Sequence, residues 1–85
     1  MSYRIEFTPA AARAFKKLPE TIQGRITPKI DALAANPRPH GVEKLAGHDN
    51  RYRVRAGEYR IIYVINDGPR LVTAAVLGHR REVYR

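Results

Sequence analysis

Residues 50–65, NRYRVRAGEYRIIYVI, hold the pattern that most constrains the fold. Arginine fills the odd positions 51, 53 and 55, while Tyr52, Val54 and Ala56 fill the even ones. A period of two is the side-chain period of a β-strand; on a helix the same charges would scatter around the axis. One face of this strand is therefore cationic and the other can enter a core. Gly57-Glu58 makes a tight connection, and Tyr59 to Ile65 reads as a second strand. The two form a β-hairpin. Tyr59 and Tyr63 share a face with Ile61 and Ile65, so core packing suits them better than base stacking.

Like charges on one face repel, and each long side chain loses rotamer freedom when held. Simple solvation would account for most charged strand faces. Two facts point further. Every cation here is arginine, whose guanidinium grips phosphate in a bidentate fork. The chain as a whole carries 16 Lys+Arg against 8 Asp+Glu, a formal net charge of +8. Such a balance suits a nucleic acid, an acidic protein or an anionic surface. The charges are interleaved with Val, Ile and Tyr, which places them on folded elements rather than in a tail.

Around the hairpin, Tyr3 to Phe7 alternates and reads as a first strand. Thr8-Pro9 is a helix start, a hydroxyl N-cap followed by proline at the first helical position. Ala11, Ala14, Phe15 and Leu18 give that helix an apolar stripe, and Pro19 ends it. A second helix over 20–35 carries Ile22, Ile26, Ile30 and Leu33. Pro28 lies inside it, lacks an N–H and crowds the carbonyl of Gly24, so one kinked helix is expected; the alternative is a restart at Thr27-Pro28. Residues 36–41 form a loop, and Leu45 anchors a polar connection. Asn66-Asp67-Gly68-Pro69 turns the chain into Leu71–Leu77, apolar at nearly every position, as expected for a strand covered on both faces. The order β-α-α-β-β-β predicts one α+β domain over 1–85. A two-helix hairpin packs on one face of a mainly antiparallel four-stranded sheet, with the arginines on the other face.

The chain has no cysteine, hence no disulfide and no thiolate metal site, which suits a reducing cytoplasm. No apolar run approaches the roughly 20 residues of a membrane span, and MSYRIEFTP lacks the layout of a secretory signal. No Gly-rich phosphate loop, metal-ligand cluster or Ser-His-Asp set is present, and no cofactor is expected.

The order of elements, Leu-Ala-Gly at 45–47, RYRVRAGEYRIIYVI at 51–65 and GHRREVYR at 78–85 together resemble the RelE/ParE superfamily of bacterial type II toxins. The likeness spans essentially the whole chain. It implies a toxin held inactive by a small acidic antitoxin that wraps the helices and sheet, with DNA contacted only through the antitoxin and no membrane partner. RelE-like members cleave mRNA in the ribosomal A site, whereas ParE-like members inhibit DNA gyrase. The tail favours the RelE side; the rivals are a gyrase poison and a non-catalytic co-repressor.

Carried over by position, the resemblance makes Arg53 and Arg55 the basic pair of the second strand and Arg60 the arginine opening the third. Arg80, or its neighbour Arg81, follows the last strand, and Tyr84 is the C-terminal tyrosine. Arg51, Arg81 and His79 are expected to add phosphate contacts. In RNA cleavage a ribose 2′-OH attacks the adjacent phosphate, and fixed guanidinium donors stabilise the added charge by about 3–4 kcal/mol each. RelE-type sites place lysines on the second strand, and a lysine can lose its proton. Arginine cannot, so Arg53 and Arg55 are clamps rather than bases. That leaves Tyr84 and His79 as titrating candidates. Strand parity turns His79 away from Arg80 unless Gly78 bends the strand. His40, His48 and Lys16-Lys17 read as solvated, and Glu58 and Glu82 as partners of nearby arginines.

Overall fold

Thr8 joins the sheet to the helices. The computed structural model describes residues 2–47 and 50–79. Its elements are β1 (Arg4–Phe7), α1 (Pro9–Lys16), α2 (Glu20–Ala35), β2 (Glu43–Lys44), β3 (Arg51–Ala56), β4 (Tyr59–Asn66) and β5 (Leu71–His79). At the start of α1 the Thr8 hydroxyl accepts from the Ala11 N–H at 3.1 Å and Pro9 takes the first helical turn. The same hydroxyl donates to the Ala75 carbonyl at 3.0 Å, and the Thr8 N–H donates to the Ala74 carbonyl at 3.0 Å.

The sheet has five strands in the order β1-β5-β4-β3-β2, one more than the sequence predicts. The addition is β2, whose two residues pair antiparallel with Arg53 and Tyr52. A two-residue strand carries no alternation, so no pattern could reveal it. β1 runs parallel to β5, and every other pair is antiparallel. The α+β class and the helix hairpin on one face are as expected. α2 runs unbroken through Pro28.

Both helices cover the face formed by Val54 and Ala56 of β3, Ile61, Tyr63 and Ile65 of β4, and Val72, Ala74 and Leu77 of β5. Ile26, Ile30 and Leu33 bring α2 onto it, while Phe15 of α1 packs edge-on against Phe7 of β1 with ring centroids 6.0 Å apart. Among the described residues no helix is long and apolar enough to cross a membrane.

Between Ile62 and Tyr63 of β4 the register with β5 shifts: Tyr63 lies opposite Ala74, but Ile62 lies opposite Val76. Ala75 is the extra residue of a β-bulge, and its carbonyl is the one Thr8 holds. The bulge reverses the parity of β5. Val72 and Ala74 enter the core before it and Leu77 after it, so Val76 turns outward and is 41% exposed. The expectation of a strand covered on both faces therefore fails at Val76.

A polar network closes the other end of the sheet. Arg38, just past α2, grips Asp67 in a fork at 2.8 and 3.2 Å, and its Nε donates to the Tyr52 hydroxyl at 3.1 Å. The Arg38 guanidinium lies 5.4 Å from the centroid of the Tyr52 ring. Tyr3 donates to Asp67 at 2.6 Å. The Arg38 fork, then Tyr3, holds the Asp67 carboxyl below its ordinary range, and the Asp67 bond pushes the Tyr3 phenol up. Beneath this network Tyr63, wholly buried, stacks on Tyr52 and donates to the Pro37 carbonyl at 2.8 Å.

Two outcomes follow. Thr8→Ala removes the cap and the tie to the bulge; a loss of about 1–2 kcal/mol is expected in urea denaturation, with the slope unchanged. Burial, with a smaller push from Tyr52 and an opposing pull from Arg38, raises the Tyr63 phenol from 10.0 to about 12. The unfolded chain ionises this group near 10 while the folded chain resists. Its contribution to stability is thus complete below pH 10 and lost as pH rises toward 12. Denaturation midpoints should fall across that window, and Tyr63→Phe should flatten the fall while losing about 1 kcal/mol at neutral pH.

Candidate nucleic-acid interface

The face of the sheet opposite the helices is set by the β3–β4 ladder. The Leu45 N–H donates to the Arg51 carbonyl and the Ile65 N–H to the Asn50 carbonyl, each at 2.9 Å. Those bonds make Arg51↔Val64, Arg53↔Ile62 and Arg55↔Arg60 the non-hydrogen-bonded pairs of this ladder. At such pairs the Cα atoms are about 4.5 Å apart and the side chains rise together on one side. Arg51, Arg53, Arg55 and Arg60 thus share the outer face with Ile62, Val64 and Val76, and among the described residues no helix covers it.

Arg55 directly opposite Arg60 is a like-charge pair, which destabilises a sheet. Two features offset it. The Arg60 Nη1 donates to the carbonyls of Gly57 and Tyr59, both at 3.3 Å, which fixes its guanidinium against the hairpin turn. The turn allows this because Gly57 has a φ of +62°, giving the two-residue connection a glycine-led geometry that matches strand twist. On the other side Arg60 faces Gly78, which has no side chain to compete for the space. Arg60 is only 7% exposed, so its charge is held rather than mobile.

Arg53 pairs with Glu43 of β2, directly across the ladder. Glu43 was not singled out in the sequence, where it lies in an unpatterned connection. The pair is partly exposed, and such pairs contribute about 0–1 kcal/mol, so a polyanion can displace the carboxylate. Arg51 and Arg55 are exposed.

The other expected site residues divide in two. Arg80, Arg81 and Tyr84 lie outside the described residues, as do Glu82 and His48. His79 does not join the arginines. β5 continues straight through Gly78, so His79 lies opposite Tyr59 on the helix-covered side, its ring edge-on to Tyr59 at 5.6 Å. The expectation that His79 binds phosphate beside the arginines is corrected by that parity. Among the described residues no group of three or more His, Cys, Asp or Glu could hold a metal.

A helix-backed mixed sheet of this fold occurs in solved toxin–antitoxin complexes. One such fold is a chain of the archaeal RelE–RelB complex from Pyrococcus horikoshii: TM-score 0.83, 30% identity, 94% of this chain and 97% of that one. A chain of the intact RelBE toxin–antitoxin complex of Escherichia coli superposes with a TM-score of 0.82 at 25% identity, over 92% of this chain and 96% of that one. In sequence, the mRNA interferase toxin RelE of Escherichia coli is 28% identical over 99% of this chain and 92% of its own length. The model of the family described as ParE toxin of the type II toxin–antitoxin system parDE matches residues 5–84. The chain therefore belongs to this family, within the RelE/ParE superfamily of type II toxins.

Replacing Glu43 by glutamine should release Arg53 toward RNA. Binding of a single-stranded RNA oligonucleotide is expected to tighten at low salt. The slope of log affinity against log salt should steepen by about 0.7, the increment for one more neutralised phosphate. An unchanged slope would mean that Arg53 does not face the backbone.

Proposed function

We propose that this protein is a toxin of the RelE type that cleaves mRNA on the ribosome and is held inactive by an acidic antitoxin. The observation that carries the reading is the register that lifts four arginines onto one bare sheet face. The relatives support it: one is named an mRNA interferase, and solved structures of this fold are toxin–antitoxin complexes.

In this reading Arg51, Arg53 and Arg55 grip the sugar–phosphate chain. Arg60, immobilised by the turn carbonyls, meets the scissile phosphate, where preorganised charge lowers the barrier most. Arg80 or Arg81 and Tyr84 are assigned by resemblance, Tyr84 to orientation or proton transfer. The described part of the face offers clamps but no paired acid and base, so positioning by the ribosome is required and free RNA is a poor substrate.

The test is to induce the protein alone and map mRNA 5′ ends with and without a block on translation initiation. Cleavage should vanish under the block. It should fall about 10²–10³-fold in Arg60→Ala and in Arg80→Ala, in proteins that retain their thermal transition. Cleavage of naked RNA at a similar rate would overturn ribosome dependence. The ParE description of the matching family makes gyrase inhibition the second reading; DNA double-strand breaks with intact mRNA would select it.

A further inference from the structure

β1 ends the sheet: β5 flanks it on one side, and among the described residues no strand flanks it on the other. The amides of Arg4 and Thr8 donate into β5, to the carbonyls of Arg70 and Ala74. Backbone groups alternate along a strand, so those of Tyr3, Ile5 and Phe7 point to the open edge. α2 reaches only the first of these, where the Ala34 carbonyl takes the Tyr3 amide at 2.7 Å. Natural sheets blunt an open edge with a bulge, a proline or repelling charges. β1 has neither bulge nor proline between Arg4 and Phe7. Its outer side chains are Arg4 and Glu6, one of each sign, 67% and 52% exposed.

A second copy of the chain fits this edge in one register. Hydrogen-bonded pairs of an antiparallel ladder join residues whose backbone groups both point to the shared edge. Three such alignments overlap most of β1. The one centred on Arg4 sets Arg4 against the partner's Arg4, and the one centred on Glu6 sets Glu6 against the partner's Glu6. Each brings like charges together and is disfavoured. The one centred on Ile5 sets Arg4 against the partner's Glu6, and Glu6 against the partner's Arg4. These are non-hydrogen-bonded positions, where facing side chains approach most closely. Ile5 then exchanges both its bonds with the partner's Ile5, and the Phe7 N–H reaches the partner's Tyr3 carbonyl. The Arg4–Glu6 contact within one strand is exposed and weak at 3.4 Å, so both groups can turn to a partner.

Apolar surface supports the same partner. A cleft of about 460 Å³ lies between β1 and the two helices, lined by Ile5, Phe7, Phe15 and Ile30, and Lys16 and Asp31 leave its rim without net charge. Tyr3, Ile5 and Phe7 are the β1 side chains turned to the helix side. Those of a second copy would stand beside this lining and leave water. We propose that β1 pairs antiparallel with β1 of a second copy, in the register centred on Ile5, joining two sheets into one. Arg51, Arg53, Arg55 and Arg60 lie on β3 and β4, beyond β5 from this edge, so both arginine faces stay open. The pairing does not rest on the RelE-type reading. The net charge of +8 opposes close approach and a strand of 4 residues makes a small contact, so the association is weak and set by concentration.

Sedimentation equilibrium of the full chain, from about 10 μM to about 1 mM, reads the association. The parent chain should pass from monomer toward dimer over that span. Arg4→Glu and Glu6→Arg each place like charges across the edge, and each should weaken the dimer about tenfold. An equimolar mixture of the two variants restores opposite charges at both pairs and should dimerise as the parent does. The double variant carrying both Arg4→Glu and Glu6→Arg reverses the signs, keeps the net charge and should dimerise as well. Amide exchange at Ile5 and Phe7 should slow as concentration rises, while that at Tyr3, already bonded to Ala34, should change little. A parent chain monomeric at every concentration would overturn the proposal, as would a dimer indifferent to both single changes. So would failure of rescue in both the mixture and the double variant, or a dimer that leaves exchange at Ile5 and Phe7 unaltered.

Discussion

The Thr8 hydroxyl holds the carbonyl of Ala75, the extra residue that sets how β5 meets β4. A sheet has a side-chain period of two, so one extra residue moves everything beyond it to the opposite face. Without the bulge, the register that pairs Tyr63 with Ala74 would continue and bring Leu77, not Gly78, beside Arg60. A branched side chain would then crowd the guanidinium, and Leu77 would leave the core it now fills. The cap that starts a helix is thus tied to the bulge that sets which residue stands next to the most enclosed arginine of the outer face.

That face is assembled against electrostatics. Four guanidinium groups on adjacent strands repel, and the fold holds them by the ladder, by the turn carbonyls under Arg60 and by Glu43 beside Arg53. None of these neutralises the set. Repulsion left in the folded state is relieved when a polyanion or an acidic chain arrives, so free energy withheld from stability becomes available for binding. The polar network of Arg38, Asp67, Tyr3 and Tyr52 lies at the far end and on the helix side, where it steadies the scaffold without diluting the positive surface.

Much of this was legible in the sequence because local chemistry and global packing agree. The arginine alternation gave the hairpin and its two faces, Thr8-Pro9 gave the helix start, and the isoleucine stripe carried α2 through Pro28. The bulge was hidden because LVTAAVL is apolar at both parities, so a slip of one residue leaves the pattern unchanged. β2 was too short to alternate. The Arg38–Asp67 fork joins residues far apart in sequence, in a loop and a turn that each read only as punctuation. His79 was misplaced because its face depends on whether Gly78 bends the strand, which the residues alone leave open. The assignment of Arg80, Arg81 and Tyr84 came from family likeness rather than from the physics of the tail.

The parallel pairing of β1 with β5 has a consequence for how the molecule comes into being. Arg4 lies beside Leu71 and Phe7 beside Ala74, so the earliest made of these five strands has no neighbour in the sheet until the last of them exists. Closure of so long a loop is slow and entropically costly, and helix and hairpin contacts form earlier. A partly made chain can hold its hairpin but not a finished sheet. Assembly waits until translation has passed residue 79.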